Sequence, residues 1–431
     1  MKKLVLSFLT LGACFIAPIT YSGQALAADD AVKSAGKSTV KVPAMRNRVY
    51  TQLARAQKVA DDGDRAGGLA ILDEVKERID SMNSYEQAML WNFYGFMYYA
   101  DENISQAIAS FENVVAQEAI PESLRLSTLY SLAQLSMQQG NFQQTIAYLD
   151  KWQNANTKPL TGNQLMFLAN VHYQAKDYKA SLISVNKAIA LVEAKGEQPK
   201  ENWLILQRAN YYELKQPEKV TQVLEQLVRL YSKPEYWVQL AGMYGEIGQE
   251  DKQLAIMESA WQAGYITSAQ QLVSLAQLYR YHGVPYKAAN LLEKAIDQGE
   301  VVANERHLEM IAMAYMAAKD DKKAIPALQQ ASKIAENGKF DAQLAQSYLN
   351  LEQWQDAIDA AEKAIERGGV KRIGDMHLVQ GMSHFHLKQF AEALDAFSAA
   401  QSFQESAKTA DQWFKYVKRE QGQYERLAML N

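Results

Sequence analysis

The chain has 431 residues, with 45 Lys and Arg against 49 Asp and Glu, a formal charge of -4 and a hydrophobic fraction of 48%. That mild acidity argues against a nucleic-acid binder, which presents a basic face, and the one cysteine, Cys14, leaves no internal disulfide or cysteine–zinc site. A chain this long either divides into two or three globular domains or grows as a stacked repeat array.

The first element is a leader. Met1-Lys2-Lys3 supplies positive charge, Leu4 to Ile19 is almost entirely apolar, and Pro18, Ser22 and Gly23 end the run. Ala25-Leu26-Ala27 then offers the small-x-small pattern of a signal peptidase site, with Ala28 as the new first residue. The apolar run is shorter than the roughly 20 residues of a membrane span. A second cut competes in the same stretch. Leu11-Gly12-Ala13-Cys14 fits a lipoprotein box loosely, but Phe15-Ile16-Ala17-Pro18-Ile19 follows where a polar tether is expected. Export to the periplasm with cleavage after Ala27 is therefore the favoured expectation, with 43 basic against 49 acidic residues remaining. Lipidation of Cys14, and attachment to a membrane, is the alternative.

Residues 28–48 are rich in Lys, Ser and Ala, lack periodicity, and read as a flexible leader. Within them, residues 31–38 (Ala31 to Ser38, with Gly36-Lys37-Ser38) match a relaxed phosphate loop. A working loop follows a strand and opens a helix, and here neither context exists, so no nucleotide and no other cofactor is expected.

From Val49 onwards one unit recurs. Units begin near Val49, Ala88, Leu126, Gly162, Lys200, Pro234, Ala269, Glu305, Gly338 and Gly374, in steps of 33 to 39 residues. The eighth residue of each is Ala56, Gly95, Ala133, Ala169, Gln207, Ala241, Ala276, Ala312, Ala345 and Gly381. Nine of the ten are Gly or Ala, as expected where a second helix crosses the first closely. Small residues recur on the second helix at Gly68, Ala107, Ser181, Ala288, Ala324, Ala357 and Ala393; Val220 and Gln253 break that pattern. Tyr98, Tyr244, Tyr279, Tyr315 and Tyr348 fall three residues after the small position, on one helical face, where their rings fill space between units. Pro326 falls inside an expected second helix, where it removes a hydrogen bond and favours a kink. After the last unit, Ala410, Trp413, Phe414, Val417, Tyr424 and Leu427 form one stripe of a capping helix.

The stretch GMSHFHLKQFAEALDAFSAA (381–400), with Gly381, Phe390, Ala393, Phe397 and Ala400, resembles the tetratricopeptide repeat (TPR), and the resemblance runs over about residues 49–407. It implies an all-α fold: a right-handed α-α superhelical TPR solenoid of about ten helix pairs, with residues 408–431 as a C-terminal capping helix. In that family the first helices line a concave groove. Its offsets select Asn92, Phe96 and Tyr99, then Tyr130 and Gln134, then Met166, Asn170 and Tyr173, then Arg208, Tyr211 and Tyr212, and finally Gln277, Arg280 and Tyr281. Tyrosine rings and side-chain amides suit capture of an extended peptide. Each such tyrosine is equally well read as a plug that packs the superhelix. A lysine–asparagine–arginine carboxylate clamp is not expected, because Met166 stands where its lysine would precede Asn170.

Enzymatic chemistry has little support. HExxH, GxSxG and a triad order are absent, and carboxylates are scattered along helix surfaces. His377 and His384, seven apart on one face, and His386 invite a metal reading, but they occupy places where other units put Trp91, Trp203 or the recurring tyrosine, so core packing is the simpler account.

Four stretches carry a narrower resemblance: MRNRVYTQLARAQKVADDGD (45–64), KPEYWVQLAGMYGEIGQEDKQLAIME (233–258), LYRYHGVPYKAANLLEKAI (278–296) and QWFKYVKRE (412–420). They resemble exported repeat proteins encoded beside TonB, ExbB and ExbD in gammaproteobacteria. That resemblance implies a non-catalytic periplasmic adaptor in transport across the outer membrane, with TonB, ExbD or a TonB-dependent receptor as partner and membrane contact only through partners unless Cys14 is lipidated. It brings no binding residues with it. A scaffold for envelope assembly is the alternative, and self-association through exposed repeat faces stays open.

Overall fold

The computed structural model describes residues 41–428, with side chains through Arg426. Both leader cleavage sites, Cys14 and the phosphate-loop-like stretch lie outside the described residues, and so does the side chain of Leu427. Among the described residues the chain forms 21 α-helices, a single 3-10 turn at Ile79–Ser81 and no strand. None of these helices is long and apolar enough to cross a membrane.

Ten hairpins follow one another. Their first helices are α1 (Asn47–Asp61), α3 (Ser84–Ala100), α5 (Glu122–Gln138), α7 (Gly162–Gln174), α9 (Glu201–Glu213), α11 (Pro234–Glu246), α13 (Ala269–Tyr281), α15 (Glu305–Ala317), α17 (Lys339–Asn350) and α19 (Ile373–His386). The second helices are α2 (Arg65–Lys76), α4 (Ile104–Ala116), α6 (Phe142–Ala155), α8 (Tyr178–Glu193), α10 (Pro217–Tyr231), α12 (Glu250–Gln262), α14 (Pro285–Asp297), α16 (Asp321–Ile334), α18 (Trp354–Arg367) and α20 (Phe390–Gln401), and α21 (Ala407–Ala428) closes the chain. The helices group into two compact units, one running through Leu135 and the other from Ser136, the division falling within α5. α16 runs unbroken through Pro326.

Every hairpin turns the same way. A residue in the left-handed region ends each first helix: Gly63, Glu102, Gly140, Lys176, Lys215, Gly248, Gly283, Lys319, Glu352 and Lys388. The next residue donates its amide five places back, as Asn103 does to the Tyr98 carbonyl at 2.8 Å and Asp320 to that of Tyr315 at 2.9 Å, so carbonyls left over at the helix end are satisfied. That same residue opens the second helix. Asp64, Asn103, Asn141, Asp177 and Asp320 each accept from the backbone amide three residues on. One short turn thus ends one helix and starts the next, which fixes the hairpin geometry locally before any unit stacks.

Within a hairpin, the small position faces the residue sixteen places later. A Cβ built on Gly95 would lie 2.5 Å from the Phe111 ring, and one on Gly381 2.7 Å from Phe397. Where the small residue is alanine, the partner is smaller than phenylalanine: Leu72 opposite Ala56, Leu292 opposite Ala276 and Leu328 opposite Ala312 are all at most 1% exposed. In these hairpins size is therefore traded across the crossing at near-constant volume, whereas Ala345 is met at the same offset by another alanine, Ala361. Gln207, too large for its position, donates instead to Asn186 Oδ1 on α8 at 2.8 Å.

Between hairpins, tyrosine hydroxyls reach back to carboxylates. Tyr94 donates to Asp73, Tyr244 to Glu225 and Tyr315 to Glu293, each at 2.5 Å, and Tyr279 is hydrogen-bonded to Glu258. Each bond ties a first helix to the second helix of the preceding hairpin while the ring stays in the core. At the C-terminal end Trp413 stacks on Phe397 at 5.7 Å, with Ala410 and Val417 fully buried, so α21 covers the last hairpin as its stripe implied.

Candidate functional site

The groove candidates are placed unevenly. In the unit through Leu135, Asn92, Phe96 and Tyr99 on α3 and Tyr130 and Gln134 on α5 are half-buried. Phe96 meets Phe111 edge-on at 5.3 Å, so its ring is fixed against its own hairpin.

In the second unit, Met166 is only 6% exposed, so its side chain belongs to the packed interior and is not offered to a ligand, against the expectation from spacing. The hairpin crossing claims this turn of α7: the neighbouring Leu165 and Ala169 are buried as well. Asn170, one turn on, is exposed and donates to the Met166 carbonyl at 2.8 Å. Tyr173 is half-buried and meets Tyr178 edge-on at 5.4 Å; burial raises its pKa. On α9, Arg208 is half-buried, its pKa pulled down by desolvation, and it donates to the neutral amide of Gln239 on α11. Tyr211 is half-buried, whereas Tyr212 is 63% exposed.

On α13, Gln277, Arg280 and Tyr281 are all exposed, Tyr281 at 69%. Gln277 and Tyr281 form one wall of an open pocket of about 840 Å³ between α11, α12 and α13. Val238 and Gly242 of α11 face them, and Glu250, Gln253 and Met257 of α12 lie below. The volume falls in the range of ligand sites, about 300–1,000 Å³. Its origin is local. Gln253 stands where the small-residue pattern calls for alanine, and a Cβ on Gly245 would meet its amide at 2.7 Å, so a bare α11 backbone makes room for the larger side chain. Gly242 leaves the adjoining space empty: a Cβ there meets nothing within 4 Å.

On the sequence Gln253 departs from the small-residue pattern, but the pocket it helps to create leaves no mark there. Gly242 falls at a groove offset but has no side chain to mark it, while Gln239 and Glu250, the latter on a second helix, fall at none of the offsets. The histidines each have a packing or hydrogen-bond partner: His377 Nδ1 lies 3.0 Å from Gln380 Oε1, His384 Nδ1 2.6 Å from Gln389 Oε1, and His386 stacks on Trp354 at 4.1 Å. Among the described residues, no group of three or more His, Cys, Asp or Glu is arranged to hold a metal ion.

Comparison with known proteins supports the repeat assignment. Residues 343–408, which span α17 to α20, match the tetratricopeptide repeat family model. No curated protein matches the chain. Solved structures to which the chain shows similarity include MamA (18% identity over 39% of this chain and 90% of that one, TM-score 0.33) and YrrB (17%, 45% and 99%, TM-score 0.36). A third is the TPR2AB domain of yeast Sti1 (18%, 60% and 98%, TM-score 0.28). The matched hairpins and the repeated register together support a tetratricopeptide repeat protein, a fold whose stacked units serve as a scaffold for protein–protein interaction.

Proposed function

We propose that the chain is a non-catalytic adaptor that holds an extended protein segment on the exposed faces of its first helices. It acts in the periplasm, as an accessory of a TonB–ExbB–ExbD energy-transduction system for outer-membrane transport. The observation that carries the binding reading is the pairing of open aromatic rings with amides on those helices: Tyr212 and Tyr281, with Asn170 and Gln277 exposed on α7 and α13. Rings held by a rigid helix give contact area at low entropic cost, and amides match both donors and acceptors of a peptide backbone. The export signal and the four stretches resembling TonB-linked repeat proteins support the cellular setting. Asn92, Phe96, Tyr99, Tyr130 and Gln134 in the first unit, and Tyr173, Arg208, Tyr211 and Arg280 in the second, are the further proposed contacts, each set within its own unit, and Met166 leaves the second.

In-cell photo-crosslinking from positions 211 and 212, with mass spectrometry of the adducts, tests this reading. Adducts to TonB, ExbD or a TonB-dependent receptor are the expected result. Adducts confined to envelope-assembly proteins would transfer the chain to that machinery, and their absence alongside strong crosslinks from second-helix positions would overturn the surface itself.

A further inference from the structure

We propose that the pocket between α11, α12 and α13 is a specificity pocket for a lysine or arginine side chain on an extended peptide segment, received by the Glu250 carboxylate and the open ring face of Tyr281. This rests on the adaptor reading and names the chemistry that one part of its surface selects.

The chain carries the template for such a site. Its tyrosine–carboxylate pairs recruit lysines. Lys287 bonds Glu258 at 2.8 Å and lies over the Tyr279 ring at 5.4 Å, while Tyr279 is hydrogen-bonded to the same Glu258. Around Glu201, Lys233 Nζ stands at 2.6 Å and the Tyr236 hydroxyl at 2.5 Å. Tyr281 and Glu250 repeat the first two members: the hydroxyl is hydrogen-bonded to the carboxylate across the pocket mouth. Among the described residues no lysine or arginine lies over the Tyr281 ring or pairs with Glu250, and both side chains are exposed; His282 meets the ring in a T-shaped contact at 5.3 Å. The third member is missing, and the space for it is open.

Charge and shape agree. Glu250 is the only charged residue lining the pocket; the remaining polar walls are amides and hydroxyls, including Gln253 and Gln277. Glu246, one helical turn beyond Gly242, adds a second exposed carboxylate on the same face of α11, while the exposed cations Arg280 and Lys252 lie beyond the lining and Lys252 is held over the Tyr244 ring. A cation entering here gains both an ion pair and a ring contact. The aliphatic stem of lysine or arginine suits Val238 and Met257 below, and the volume of about 840 Å³ leaves room for neighbouring backbone to meet the amides.

The test uses the full chain and fluorescence anisotropy with two labelled twelve-residue Gly/Ser peptides, one carrying three lysines and the other three glutamates. The lysine peptide is expected to bind about tenfold tighter or better, and Glu250→Gln to remove most of that preference. Gly242→Phe is expected to abolish binding while the protein melts no lower than the wild type, because that position is exposed and a Cβ there meets nothing. Equal binding of the two peptides, lysine-peptide binding that survives Gly242→Phe, or no binding by 1 mM peptide (about the weakest affinity worth assigning) would overturn the pocket assignment. Crosslinking from position 212 in the Gly242→Phe background separates the two levels. Adducts that persist there while the pocket fails its test leave the adaptor reading standing, whereas adducts missing in the wild type count against the adaptor itself.

Discussion

Gly95 on α3 lies so close to Phe111 on α4 that a Cβ added to it would stand 2.5 Å from the ring edge. The ring is 1% exposed and is itself met edge-on by Phe96, so it has no room to retreat. Gly95→Ala therefore overpacks the crossing, which costs about 1–3 kcal/mol and is partly offset by roughly 1 kcal/mol of helix propensity. The expected outcome is a lower urea midpoint for the single variant and a substantial recovery in Gly95→Ala/Phe111→Leu, because leucine is the partner that alanine has in other hairpins. Additive losses in that double variant would show that the two positions do not share one volume.

The same crossing explains what the sequence made legible. Small residues at Ala241, Ala276 and Ala312 and the tyrosines three places on repeat because each hairpin solves the same local packing problem, so their register survives in a single chain. The cap was readable for a like reason: Ala410, Trp413 and Val417 fall on one face of one helix. The tyrosine–carboxylate ties were not. Their spacing changes from 19 residues for Glu225–Tyr244 to 22 for Glu293–Tyr315, because the connection between hairpins varies in length, and on the sequence the carboxylates look like ordinary surface charge. The pocket was hidden more deeply, since Gly242 contributes to it by having no side chain. Met166 failed for the opposite reason: it sits at a groove offset, but packing claims its side chain.

Six of the ten hairpin turns place a lysine or glutamate where the backbone is left-handed, and Lys319 is one of them at φ 61°. A side chain pays about 1–2 kcal/mol for that conformation, and glycine avoids it at the expense of a more flexible unfolded chain. Lys319→Gly is therefore expected to stabilise the protein by about 0.5–1 kcal/mol. Gly283, at φ 71° with open space around it, supplies the converse: Gly283→Ala should destabilise by about 1 kcal/mol without any steric clash. Thermal melts of both variants read the two signs. A destabilised Lys319→Gly would mean that the lysine side chain holds a contact stronger than the backbone strain.

Burial, together with the hydrogen bond to Glu225, pushes the pKa of Tyr244 up to about 12, and Tyr94, Tyr236, Tyr279 and Tyr315 are raised in the same direction by burial and by their own carboxylates. A group whose folded pKa lies above its unfolded value of about 10 contributes its full stability below pH 10 and loses it as pH rises through the folded value. Stability is thus expected to be flat in this respect up to about pH 10 and to fall steeply above it, with the phenolate absorbance of these buried rings appearing only as the chain unfolds. Tyr244→Phe removes one such group. It should lower the neutral-pH plateau by about 1 kcal/mol and make the alkaline fall shallower. An unchanged slope in that variant would show that Tyr244 does not ionise with unfolding.

Acid acts through a different residue at the start of the first compact unit. The Glu86 side chain is fully buried, and its carboxylate takes three bonds from Arg46, from the backbone amide at 2.8 Å, from Nε at 2.8 Å and from Nη2 at 2.7 Å, in addition to the Asn83 amide at 3.1 Å. The side-chain bonds from Arg46 are the main cause of a pKa held below the ordinary glutamate value. A depressed carboxylate contributes stability that is complete above its unfolded pKa, about 4.3, and that disappears as pH falls through the lower folded value. Glu86→Gln keeps the shape but loses the charge-assisted bonds, so it is expected to cost about 2 kcal/mol at pH 7 and less at pH 2. Arg46→Ala should show the same pH pattern, because it removes the partner rather than the acid. Urea titrations of both variants at the two pH values decide the matter: a loss of equal size at pH 2 and pH 7 would assign the effect to packing at the start of α3 and not to the ion pair.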